Sequence, residues 1–148
     1  MTLVELLVVL AIIGVILSIS MPGLTGYAKR IRLKTTTRQL IGLLSLARSR
    51  AISSHEDHAV VVDAEQREAR VVDTVSGEAL EQKLRWPQAM RIDVQVGGKP
   101  AAEPHVLFRP TGGLSGRTVV LVVADRTEHL TITVIGTTGA VSVEGSVK

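Results

Sequence analysis

From Met1 to Ala28 the sequence carries a single charged side chain, Glu5, and from Leu6 to Met21 it has neither charge nor proline. With Met1 to Val4 included, the run reaches roughly 20 residues, or about 30 Å as a helix, which matches a bilayer core. The run is therefore expected to span a membrane. A cleaved secretory signal fits less well, because it places a basic region before a shorter apolar stretch and a small-residue cleavage site after it. Nothing basic precedes this run.

Seven of the seventeen basic residues (Lys29, Arg30, Arg32, Lys34, Arg38, Arg48 and Arg50) follow in one short stretch. Those beginning at Lys29 are expected at or beyond the far membrane face, within reach of anionic head groups or simply solvated on the helix surface. With the N-terminus in the cytoplasm this puts positive charge outside, and the usual remedy is a basic leader, since removed, ahead of the apolar run. Glu5 needs separate treatment, because an ionised carboxylate one turn into an apolar helix is costly in lipid without a positive partner. Three settings suit it: the amine of Met1, the amine of a neighbouring parallel subunit, or water at the membrane edge.

The 148 residues fit one domain plus an appendage, and with one Phe, one Trp and one Tyr the core must be mainly aliphatic. No cysteine is available to staple it. After Tyr27 a helical period resumes, with Leu33, Leu40, Leu43, Leu44, Ala47 and Ala51 on one stripe and Arg30, Lys34 and Arg38 on another, ending near Ser53. Beyond Ser54 the pattern changes to short runs expected as strands: 59–62, 69–73, 82–86, 91–96, 106–109, 118–123, 130–135 and 140–143. Turn signals lie at Ser76-Gly77, Gly97-Gly98, Thr111-Gly112-Gly113 and Thr138-Gly139. The expected fold class is α+β: a long N-terminal helix packed on a C-terminal antiparallel β-sheet head. The expected division is 1–28 for the hydrophobic helix, 29–54 for its amphipathic continuation and 55–148 for the β-rich head.

Positions 1–17, Met-Thr-Leu-Val-Glu-Leu-Leu-Val-Val-Leu-Ala-Ile-Ile-Gly-Val-Ile-Leu, closely resemble the mature N-terminus of type IV pilins and type II secretion pseudopilins. Family members usually begin with Phe, and Met1 departs from that while staying apolar. The resemblance implies that a prepilin peptidase removes a short basic leader and methylates the Met1 amine. It implies that Glu5 pairs with a neighbour's N-terminus during assembly and that Pro22 marks a helix kink. Local chemistry agrees on Pro22, since proline removes a helical hydrogen bond and clashes with the preceding turn. Gly14, Gly23 and Gly26 add weak points.

Three further stretches resemble the H-type (GspH/FimT-like) minor group: Leu46–Ile52, Val106–Gly113, and Ile132–Val134 followed by Thr138–Val141. A strand ending in a proline and glycine turn accounts equally well for the middle one. The C-terminus has no cysteine pair, which many major pilins use, and Gly136 to Lys148 holds only Glu144 as an acid, unlike the calcium loop of major pseudopilins. A minor pseudopilin is favoured over a major pilin or pseudopilin.

The residues speak less for two other classes. For an enzyme, no nucleophile, base and orienting acid recur in a recognisable frame, so no catalytic residue or cofactor is assigned. His55, Asp57 and His58 form the one dense group of possible ligands, but they lack a zinc spacing, and no metal is assigned; His105 and His129 stand alone. Gly112-Gly113 and Gly116 lack the Lys-Ser or Lys-Thr of a phosphate loop. For nucleic acid, the resemblance to FimT-like minor pilins links the chain to pilus assembly and DNA uptake. The candidate contacts to DNA or a partner are Arg109, Arg117 and Arg126, although Asp125 and Glu128 flank the last of these.

The expected function is that of a minor, H-type-like pseudopilin in a type II secretion pseudopilus, supporting export of folded proteins across the outer membrane. The resemblance implies other pseudopilins (the shaft subunit and the tip subunits), the inner-membrane assembly platform and the prepilin peptidase as partners. It also implies a single-pass anchor in the inner membrane, a periplasmic head and a periplasmic filament after assembly. A fragment beginning near Lys29 is expected to be soluble and folded, checked by circular dichroism and gel filtration; persistent aggregation would count against an independent head.

Overall fold

The computed structural model describes residues 2–146, with the side chains of 19–25 and 146 outside the described set. Helix α1 covers Leu3–Ser54. Nine strands follow among the described residues: β1 His58–Asp63, β2 Glu68–Asp73, β3 Ala79–Arg85, β4 Arg91–Val96, β5 Lys99–Pro100, β6 His105–Phe108, β7 Val119–Ala124, β8 His129–Val134 and β9 Val141–Ser146. The chain forms two compact units, Met1–Arg32 and Leu33–Lys148.

In the first unit, from Leu3 to Leu17, α1 is apolar on every side apart from Glu5. Each large hydrophobic residue from Leu3 to Leu17 is between 46% and 76% exposed. A helix of that kind has no preferred face to bury and needs lipid or other helices around it. Among the described residues no helix is long and apolar enough to cross a membrane.

In the second unit the same helix becomes one-sided. Leu33, Leu40, Leu43, Leu44, Ala47 and Ala51 are all buried, as the 3.6-residue period predicts, while Lys34 and Arg38 are exposed. The buried hydroxyls on this face are satisfied: Thr37 donates to the Leu33 carbonyl at 2.9 Å, and Thr36 lies 3.8 Å from the Met90 sulfur. The helix ends where His55 turns into the left-handed region (φ 58°), with the Ser53 and Ser54 hydroxyls both donating to the Arg50 carbonyl. No glycine is needed there, because histidine is among the residues that tolerate this conformation.

The strands divide into two antiparallel sheets, one in the order β3-β2-β1-β6 and the other β5-β4-β7-β8-β9. Their alternation places matching residues in rows, so that Val60 lies between Val71 and Val106 in the first sheet. Val94, Leu121, Ile132 and Val143 form a row across the second. The inward members of both sheets join the α1 stripe in one core that includes Phe108 and Trp86. Gly97 and Gly98, both at positive φ (62° and 79°), make the tight turn between β4 and β5, which only glycine enters at little cost. The expected strands match six of these elements to within a residue at each end; β3 starts earlier, at Ala79, β9 runs on to Ser146, and β5 has no counterpart in the sequence pattern. The first residue of β3, Ala79, pairs with Val72 across a register shift between Arg70 and Val72, which breaks the alternation that sequence reading depends on.

Among the described residues Glu68 is the buried acid of the head. Arg85 donates to its Oε2 at 2.8 Å and Lys83 Nζ approaches the same oxygen at 3.8 Å. The Arg85 hydrogen bond, helped by the charges of Lys83, Arg85 and Arg70 and opposed by burial, holds the carboxyl below its ordinary value of 4.5. A lowered folded value means that the pair stabilises fully above that ordinary value and is lost as pH falls through the folded one. Glu68→Gln is therefore expected to lower the melting temperature at pH 7 and to flatten its fall below pH 4.5, measured by circular dichroism melts of the full chain in detergent.

Candidate functional site

Two places carry the residues singled out in the sequence. The first is the start of α1. Thr2 and Glu5 cap each other: the Thr2 amide donates to Glu5 Oε2 at 3.4 Å, and the Glu5 amide to Thr2 Oγ1 at 3.3 Å. This is the Thr-x-x-Glu capping box, which satisfies two of the amides that a helix start leaves open. The Thr-x-x-Glu spacing is legible in the sequence, beside the charge of Glu5. Glu5 is exposed and its carboxylate faces no described cation. Met1, the expected methylation site, lies outside the described residues, and so does the side chain of Pro22, whose backbone continues the helix.

The second place is in the head. Arg48 of α1 is half-buried and donates twice, from Nε to the Gly112 carbonyl at 3.0 Å and from Nη2 to the Thr138 carbonyl at 2.9 Å. Each acceptor belongs to a turn that closes on itself. In one, Gly112 donates to Arg109 at 2.8 Å and Arg109 to Gly113 at 2.9 Å; in the other, Gly139 donates to Ile135 at 2.7 Å. The turns also meet directly, with the Leu114 amide donating to Gly136 at 2.7 Å. At Gly139 (φ 64°) an added Cβ would come within 2.0 Å of the Gly112 carbonyl oxygen, so no other residue fits without moving the backbone. The three stretches that resemble the H-type group thus converge on one joint between helix and turns.

The three candidate contact arginines are not gathered together. Arg117 and Arg126 flank opposite ends of β7, a strand of six residues, so they lie about 20 Å apart. Arg109 follows β6 in the first sheet, beside the Arg48 joint. Each is exposed. His58 is buried, with its Nδ1 3.2 Å from the Glu56 carbonyl, while His55 is exposed at the helix end. Among the described residues no group of three or more His, Cys, Asp or Glu side chains is placed to hold a metal.

The sequence profile of the family described as Type II transport protein GspH matches residues 36–139, well over half of the chain and including the whole joint. The chain belongs to the GspH family. Its fold is that of solved pilin-like subunits. It is similar to the type IV minor pilin FimU of Pseudomonas aeruginosa, at 16% identity and a TM-score of 0.64, over 80% of this chain and 92% of that one. It is also similar to the minor pseudopilin EpsH from the type 2 secretion system of Vibrio cholerae, at 16% identity and a TM-score of 0.59, over 77% of this chain and 97% of that one. No curated protein matches in sequence. Membership of the GspH family makes the chain a minor pseudopilin, a structural subunit that acts through assembly.

Removing Arg48 takes a charged donor from the Gly112 and Thr138 carbonyls, and a hydrogen bond of that kind is worth about 1.5–3 kcal/mol. Arg48→Ala is expected to lower the melting temperature by several degrees. Arg48→Lys should restore only part of it, because one ammonium lacks the fork that spans both turns.

Proposed function

We propose that this GspH-family chain is an inner-membrane-anchored minor pseudopilin, in which α1 is the element that leaves lipid for the filament core. The observation that carries this reading is the all-round exposure of Leu3 to Leu17. Such a surface is stable in lipid or among like helices, and moving between those two settings costs little net burial. The apolar stretch described ends at Ser18, short of the roughly 20 residues that a span needs, and the sequence extends it through Ile19, Met21 and Leu24. Met1 is then the methylated end after leader removal by a prepilin peptidase, and Pro22 the place where the helix kinks or loosens on packing. Partners on this reading are other pseudopilins, both shaft and tip subunits, and the inner-membrane assembly platform, with the head in the periplasm.

Glu5 has two separable roles here. The carboxylate caps the helix through Thr2, and its charge sets register by meeting a neighbour's amine in a dry bundle. Similarity to a type IV minor pilin supports a second reading, a pilus subunit, in which the head and not α1 differs in its partners.

Glutamine at the third helical position keeps a capping box but carries no charge. Glu5→Gln is expected to insert into membranes like the parent while its incorporation into filaments, measured by shearing and immunoblotting, falls about tenfold or more, as for loss of a buried charge pair. Equal incorporation would confine Glu5 to capping.

A further inference from the structure

β3 is an edge strand: it pairs with β2 on one side and, among the described residues, with no strand on the other. That free side opens on a groove of about 380 Å³ between β3 and the head portion of α1, lined by residues that include Gly42, Leu43 and Leu46 from the helix and Lys83, Leu84 and Arg85 from the strand. The floor is apolar, since Leu43 and Leu84 are buried core residues. At Gly42 a Cβ would meet nothing within 4 Å, so the helix side of the groove is open.

The rim is cationic. Lys83 and Arg85 are 50% and 70% exposed and share a single oxygen of Glu68, which is itself 8% exposed. Arg70, opposite Lys83 in the register, brings a third cation to the same acid, and its buried Nε has no hydrogen-bond partner. Three cations therefore face one carboxylate, and no acid lines the groove; Glu81 lies in the irregular part of β3. The pairing of β3 is regular from Lys83 to Arg85, which leaves a short run of free strand edge ready for a partner. A lysine on such an edge repels most strands and favours one carrying carboxylates.

We propose that the groove between β3 and α1 docks an extended acidic segment of a partner protein, which adds a fifth strand to the sheet. Its apolar side chains face Leu43, Leu46 and Leu84, and its alternate carboxylates lie beside Lys83 and Arg85. The backbone supplies the affinity and the charges the choice of partner, as in other cases of strand addition. This proposal stands on the groove and does not depend on the membrane or filament reading.

The test is fluorescence anisotropy of a labelled seven-residue peptide alternating valine and glutamate, titrated with the full chain in detergent micelles and against empty micelles. The expected result is saturable binding that weakens with salt, falls about tenfold or more in Lys83→Glu and in Gly42→Phe, and disappears when alternate peptide amides are N-methylated. Circular dichroism checks that both variants are folded; the N-methylated arm needs no variant. Absence of binding to the parent, equal binding to folded Gly42→Phe, or equal binding of the N-methylated peptide would each overturn the proposal. An oligodeoxythymidine that displaces the peptide and binds parent and Gly42→Phe alike would also overturn it, assigning the cations to nucleic acid.

Discussion

Leu40, Leu44, Ala47 and Ala51 of α1 are completely buried, in one core with the inward residues of both sheets. Everything else in the head depends on that contact. The chain has no cysteine and only three aromatic residues, so neither a cross-link nor large ring packing substitutes for it. An antiparallel sheet with one apolar face must cover that face, and here two sheets share the same helix as cover. The helix is thus both the floor of the head and the continuation of the apolar segment that begins at Leu3.

Arg48 adds direction to this contact. Apolar burial alone lets a sheet slide over a helix, because it is not directional. Two charge-assisted hydrogen bonds from one guanidinium to two different turns fix both turns to a single helical position. The close approach of Gly139 to Gly112 leaves no slack between the turns themselves. The match of the GspH family profile spans this joint and leaves out the apolar helix start, so family membership is read from the head.

The α+β architecture was legible because its two periods are unmixed: leucines and alanines three and four apart up to Ala51, then valines and isoleucines two apart. β5 was not legible, since two residues contain no period and one of them is Pro100. The division into two sheets was also hidden, because β6 returns to pair with β1 across the intervening β2 to β5, and local alternation says nothing about such partners. The same limit applies to the joint. The motif around Arg48 and the two glycine turns stood out separately, but contacts spanning 64 and 90 residues leave no mark in spacing. The charge of Glu5 was visible at once; its hydrogen bonds with Thr2 are local and were equally available.

Among the described residues the two sheets have four edges, and an open edge invites a strand from another copy of the chain. Three of the edges are blunted. β5 is two residues long and consists of a lysine and a proline; β6 is four residues long and is continued by the bridge from Phe108 to Leu114; β9 carries Glu144 and Gly145 near its end. Those three edges therefore offer little to a strand of another copy. Resistance to edge-to-edge pairing is a solubility property, and at these three edges it is written into strand length and edge chemistry.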